Sequence, residues 1–163
     1  VMSKKMGKKK AFMVSQFISI IGYILFWFLF VPGKPHLFLY ALPFHSFGIG
    51  GLFTIMMSMT ADVCDLDELN TGQRREGVLG AVYWWMVKLG YGIAALLGGL
   101  FLMIVGFDAD NVTESAVTGM RSFYSLLPIA GVIGAILIMK NYDISEQKAA
   151  EIKKALEERK QKS

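Results

Sequence analysis

Four long apolar segments constrain this chain more than any other feature of its sequence. Runs without a charged residue cover 11–33, 35–61 and 122–139, and a fourth, 77–107, is interrupted only by Lys88. A helix needs about 20 apolar residues to cross ~30 Å of hydrocarbon at 1.5 Å per residue. Long helices of a soluble bundle would show polar faces, which these runs lack. The sequence therefore predicts an all-α membrane protein with four transmembrane helices.

The predicted spans cover about 11–31, 36–63, 77–107 and 121–139. A basic segment, 1–10, precedes them, a charged loop, 64–76, divides them, and a tail, 140–163, follows. Fourteen Lys and Arg residues lie in these three segments, whereas the opposite side has only Lys34 and Arg121. By the positive-inside rule, both termini are cytoplasmic. The same distribution accounts for the formal net charge of +4 without a nucleic-acid partner.

The tail is predicted to form a cytoplasmic helix. Ser145 can cap it, and Ala149, Ile152 and Leu156 follow at helical spacing. This stripe could bind a membrane surface or a partner, but a solvated end segment is the favoured interpretation.

Lys88 is the most informative residue within the spans. It lies about 16 Å along the third helix from Gly77, at 1.5 Å per residue, and therefore near the bilayer centre. A charge there is costly and typically faces a water-filled pathway or a charged partner, unless packing alone tolerates it. The acidic residues lie at the ends of the spans, so the counter-ion should come from another part of a longer polypeptide or another subunit.

The third helix carries two further patterns beside Lys88. One is a stripe of small residues that includes Gly77, Gly92 and Gly99, which predicts close helix packing. The other is an aromatic group about one turn before the lysine, Tyr83, Trp84 and Trp85. A ring next to a charge can hold a sugar, although aromatic filling of a helix interface is the simpler interpretation.

The loop 64–76 is dense in charges of both signs. A continued helix would bring Asp62, Asp65 and Glu68 to roughly one side, and Arg74 and Glu76 follow. These residues could form a solvated mixture, or ionic contacts that hold two parts of a protein together and release them.

A longer pattern joins this loop to the lysine. The stretch A-D-x-x-D-x-x-E-x-x-T-G-x-R-R-E-G runs over 61–77, and Lys88 follows Glu76 by twelve positions. This pattern resembles the glycoside–pentoside–hexuronide:cation symporter family of the major facilitator superfamily. The GFDAD segment, the G-M-R opening of the fourth span and the Tyr142-Asp143 start of the tail support the resemblance.

The resemblance implies a twelve-helix transporter of which this chain matches the last four helices, so that the missing N-terminal helices are its partners. It implies that Lys88 lies near the coupled cation and sugar sites, with Tyr83, Trp84 and Val87 contributing to the sugar pocket and Phe53 nearby. It also implies a cytoplasmic gate formed by charged residues, which here are Asp62, Asp65, Arg74 and Glu76.

The expected function is symport of a glycoside or related sugar with Na⁺ or H⁺. The expected location is the lipid bilayer of the cell membrane, specifically a bacterial inner membrane. Two alternatives stay open: a lysophospholipid symporter of the same superfamily, and a non-transporting four-span subunit. The sequence contains no nucleophile–base set, metal-ligand cluster or phosphate loop, so an enzyme is not expected, nor a cofactor apart from the coupling cation.

Overall fold

The computed structural model describes residues 6–108 and 110–162. Within them the chain forms helices and turns. The five α-helices are α1 (Lys8–Leu29), α2 (Leu42–Thr71), α3 (Glu76–Ile104), α4 (Glu114–Met139) and α5 (Glu146–Lys162), with a 3₁₀ helix, Pro35–Tyr40, between α1 and α2. The first four are long and apolar enough to cross a membrane. The all-α fold with four candidate membrane spans is therefore confirmed. Lys4 and Lys5 of the basic segment lie outside the described residues.

The second helix differs at both ends from the expected span 36–63. Pro43 lies in its first turn, where the missing proline N–H leaves no helical hydrogen bond broken, so α2 begins at Leu42 and the preceding residues form the 3₁₀ helix. At the other end, α2 continues to Thr71 through most of the segment expected to be a loop. Gly72 then ends the helix in the left-handed conformation, with φ of 73°.

The other ends follow local signals of the sequence. The side chain of Thr113 accepts a hydrogen bond from the backbone N–H of Ala116, so α4 begins seven residues before the expected span. Ser145 accepts a bond from the N–H of Lys148, at 3.2 Å, which confirms it as the cap of the tail helix. The expected four-helix order along the chain is unchanged by these shifts.

Small residues bring α1 and α2 into close contact. A Cβ atom added to Gly48 would collide with Ser19, and one added to Gly51 would lie 2.6 Å from the Cβ of Ser15. Ser15 and Ser19 are both buried, 1% and 2% exposed. Such contacts let helix backbones approach in a membrane, where van der Waals packing drives association. The close-packed interface is therefore between α1 and α2, and α4 also packs against α1.

The tail helix α5 packs along the end of α2 rather than standing free in solvent. Ala149, Ile152 and Leu156 are buried, at 7%, 5% and 6% exposure. Near the end of α5, Lys160 lies 3.9 Å from the Glu68 carboxylate of α2. The expectation of a solvated tail is wrong, because the apolar stripe of α5 has a partner within the same chain.

Candidate functional site

The predicted site is centred on α3, which is the least buried of the four candidate membrane spans. None of the residues of α3 is buried. Lys88 lies twelve residues after the start of the helix at Glu76, or about 18 Å along it, and its side chain is exposed. Across residues 6–108 and 110–162, Lys88 takes part in no ion pair or side-chain hydrogen bond. A cation at mid-helix therefore has no counter-ion in the described chain.

The residues predicted to act with Lys88 lie on the same helix. Trp84 is four residues before Lys88 and so shares its face, while Tyr83 and Val87 form the neighbouring pair. The rings of Tyr83 and Trp84 meet edge to face, with centroids 5.3 Å apart. These four side chains form one continuous patch by helical geometry.

Tyr83 also lines a cleft of about 510 Å³ between α2, α3 and the end of α4. Met56, Met59 and Tyr142 are among the residues on its other walls. Phe53, the fifth predicted pocket residue, is half-buried on α2 and does not line this cleft. The described chain therefore brings Tyr83, but not Phe53, into a shared cavity.

The small-residue stripe of α3 faces open space. A Cβ atom added to Gly77, Gly92 or Gly99 would meet no atom within 4 Å. The stripe has the composition of a packing surface, yet the described helices of this chain do not pack on it. Any partner of the stripe must come from outside the described residues.

Ion pairs connect the end of α2 to the start of α3. Arg74 contacts the carboxylates of Glu68 and Glu76, each at 3.0 Å, and Arg75 forms two bonds to Asp67. Hydrogen bonds to these carboxylates raise the pKa of both guanidinium groups. Because both arginines are about half exposed, solvent screens these pairs and each adds little to stability.

Asp62 is in a different environment from the other predicted gate charges. Only 2% of it is exposed, and its Oδ2 lies 2.5 Å from the ammonium of Lys8 at the start of α1. The Tyr142 hydroxyl is 3.5 Å from the same oxygen, and burial followed by the nearby Asp62 carboxylate raises the pKa of that tyrosine. Asp62 therefore joins three parts of this chain, α1, α2 and the start of the tail.

The four predicted gate charges are thus only partly brought together. Arg74 and Glu76 are in contact, Asp62 is committed to Lys8, and Asp65 is half-buried with no ion pair among the described side chains. A periodic signal could have identified Asp62 as buried, because it follows Ile55 and Met59 at helical spacing. All three are under 10% exposed. No local pattern pointed to Lys8 or Tyr142 as its partners.

Comparison with known proteins shows similarity to a family of membrane transporters. Residues 1–146 match the family described as MFS/sugar transport protein. A glucuronide carrier protein homolog of Escherichia coli is 29% identical over 98% of the chain, which covers 35% of that protein. An uncharacterized symporter of Synechocystis sp. is 33% identical over 80% of the chain and 25% of its own length.

An isoprimeverose transporter of Lactiplantibacillus pentosus is 25% identical over 79% of the chain and 27% of its length. The chain thus spans about a quarter to a third of the length of these curated relatives. No solved structure gives a significant match. These relatives are carriers, symporters and transporters rather than enzymes, as the sequence led us to expect.

Proposed function

Since this chain belongs to the family of MFS/sugar transport proteins, we propose that it forms part of a secondary active transporter for a glycoside or related sugar. A coupling cation, Na⁺ or H⁺, would move down its gradient together with the sugar. Alternating access would rock two helical halves around a site near the bilayer midplane. The names of the relatives, a glucuronide carrier homolog and an isoprimeverose transporter, support a sugar as the substrate class.

We propose further that the four spans are the last four of a twelve-helix multi-pass protein of the cell membrane. The lengths of the relatives, about three times that of this chain, support this arrangement. Cytoplasmic placement of both ends is supported by the positive-inside rule and by a contact between them. The Lys9 ammonium donates a hydrogen bond of 2.7 Å to the carbonyl of Lys140, so the start of α1 and the start of the tail lie at one end.

The observation that carries the proposal is the uncompensated charge of Lys88. A single ammonium near the centre of a bilayer costs at least about 2.5 kcal/mol unless water or an anionic partner surrounds it. The exposed face of α3 offers room for the preceding helices to bring a carboxylate and the coupling cation close to Lys88. Lys88 would balance charge there, while Tyr83, Trp84, Val87 and, from α2, Phe53 would contact the sugar.

The test is cation-coupled sugar uptake by the complete transporter in membrane vesicles. We expect Lys88→Ala to lower gradient-driven uptake by about tenfold or more, as expected when a desolvated charge loses a coupling of at least ~1.4 kcal/mol. Lys153→Ala, which removes the same charge from the exposed face of the tail helix, is the matched control.

Unchanged uptake and unchanged cation dependence in Lys88→Ala would remove the proposed role of the lysine. Sugar-stimulated cation entry separates this proposal from the alternatives. A lysophospholipid carrier would respond to the lipid and not to glycosides, and a non-transporting subunit would respond to neither.

A further inference from the structure

Two adjoining cavities lie at the end of the molecule that carries the turn after α1. The larger, about 650 Å³, lies beside that turn, and the smaller, about 460 Å³, lies between α1, α2 and α4. Phe30, Phe38 and Met120 line both cavities, so the two are adjacent and are treated together as one groove. We call this the aromatic groove. It shares no residue with the site proposed for transport.

Arg121 provides a positive charge at the wall of the aromatic groove. Its Nε donates a hydrogen bond of 2.7 Å to the carbonyl of Phe30, the residue that follows the last turn of α1. The guanidinium therefore lies level with a helix end, which is the depth of the membrane interface. No carboxylate pairs with it in the part of the chain that the structure describes, and its two terminal nitrogens have no protein acceptor there. An arginine normally uses these nitrogens to bind carboxylate or phosphate.

Further polar groups in the groove lack partners. Ser125 is one helical turn beyond Arg121, is only 2% exposed, and its hydroxyl has no hydrogen-bond partner among the described atoms. The buried Nδ1 of His45 also has no hydrogen-bond partner among the described atoms. Buried polar atoms are nearly always bonded, so these two indicate an occupant that has acceptor or donor atoms near Arg121.

The rest of the lining is apolar, and one side is open to the outer surface of the helices. Tyr124, which lines the groove, is 48% exposed on a surface formed by large apolar side chains. Under the proposed function that surface lies against lipid, so an acyl chain would enter the groove without crossing water. A sugar fits less well, because its hydroxyl groups would find few hydrogen-bonding partners along Phe30, Phe38 and Met120.

We propose that the aromatic groove binds one phospholipid of the leaflet opposite the basic ends of the chain. The lipid phosphate accepts hydrogen bonds from the terminal nitrogens of Arg121, and an acyl chain lies along Phe30, Phe38 and Met120. This is a lipid held as a structural ligand. It is independent of the transported substrate, and of whether Lys88 serves in coupling.

The test is a titration of the complete transporter, purified in detergent and stripped of lipid, with phosphatidylglycerol, read by native mass spectrometry. We expect Arg121→Gln to weaken binding by about tenfold, as expected for loss of charge-assisted hydrogen bonds. Lys34→Gln is the matched control, because it removes the only other cation predicted on this side and Lys34 does not line either cavity. Binding to the control should equal that of the wild type.

A second pair of variants tests the groove itself. Met120→Trp fills the point where the two cavities meet and should also weaken lipid binding, whereas Leu126→Trp, at a 60% exposed position, should not. This pair decides the question if Arg121→Gln elutes as an aggregate. Wild-type lipid affinity in Arg121→Gln, or in Met120→Trp, would overturn the proposal. So would displacement of the lipid by inorganic phosphate alone, or a preceding helix of the complete protein seated in the groove.

Discussion

The buried pair of Lys8 and Asp62 gives the sharpest prediction for stability. Asp62 is 2% exposed and its partner's side chain 17%, so solvent screens their contact poorly. Breaking a buried ion pair by removing one partner costs about 3–5 kcal/mol, because the remaining charge is buried alone. In Lys8→Met the stranded group is a carboxylate whose remaining contact is the Tyr142 hydroxyl, at 3.5 Å. We therefore expect a loss of about 3 kcal/mol or more in the free energy of unfolding.

The reverse change should cost less. In Asp62→Asn the ammonium of Lys8 keeps its bond to the Ser58 carbonyl and can turn toward solvent through its 17% exposed side. The double variant, Lys8→Met with Asp62→Asn, leaves no buried charge, so it should be more stable than Lys8→Met alone. This non-additivity is the signature of a direct interaction between two groups.

The assay is equilibrium unfolding of the protein in detergent micelles, followed by the helical circular dichroism signal. Lys10→Met is the matched control, because Lys10 is two residues along the same helix, is exposed and forms no ion pair among the described residues. The reasoning is refuted if Lys8→Met unfolds at the same denaturant concentration as Lys10→Met. It is also refuted if the effects of the two single substitutions simply add.

Two further predictions concern the same bundle. Gly48→Ala should lower the free energy of unfolding by about 1–3 kcal/mol, because the added Cβ would collide with Ser19. In the control, Gly50→Ala, the added Cβ meets no atom within 4 Å, so the free energy of unfolding should change by no more than about 0.5 kcal/mol. Unfolding titrations of both variants check this, and equal losses would contradict it. The pKa of Tyr142 is raised in the folded state, so above pH ~10 the tyrosine of the unfolded chain ionises first. The contribution of Tyr142 to the free energy of unfolding is therefore present below pH ~10 and is lost as the pH rises above that value. Tyr142→Phe should flatten this alkaline decline, which a pH series of unfolding midpoints would measure.

The membrane spans could be predicted because the property that defines them is local. Each is a run of apolar residues long enough for the hydrocarbon layer, and a sequence shows this directly. The end of α2 could not be predicted in the same way. Hydropathy falls after Val63, but charged residues are compatible with a helix, and it is Gly72 that ends it. The loss of an apolar run thus marks the edge of the membrane, whereas the helix ends at the next residue that favours a left-handed conformation.

Contacts between distant segments were beyond the reach of pattern analysis. The stripe Ala149, Ile152 and Leu156 was visible in the sequence, but nothing local identifies α2 as the surface that buries it. Asp62 and Lys8 are likewise 54 residues apart. Of the candidate site, the shared helix of Lys88 and Tyr83 follows from spacing alone. The depth of Lys88 in the proposed twelve-helix protein is not a local property of the sequence and could not be predicted from it.

The length of α2 has a mechanical consequence. Its 30 residues extend for about 45 Å, whereas the hydrocarbon layer is ~30 Å thick, so roughly 15 Å of one continuous rod projects beyond it. The tail helix packs along this projection. The ion pair of Lys8 with Asp62 joins the start of α1 to α2. Because α2 is one continuous helix, a small tilt of its membrane-embedded part would displace its projecting end over a larger distance. A fluorophore at the far end of α5 would therefore report tilting of the part of α2 that lies within the bilayer.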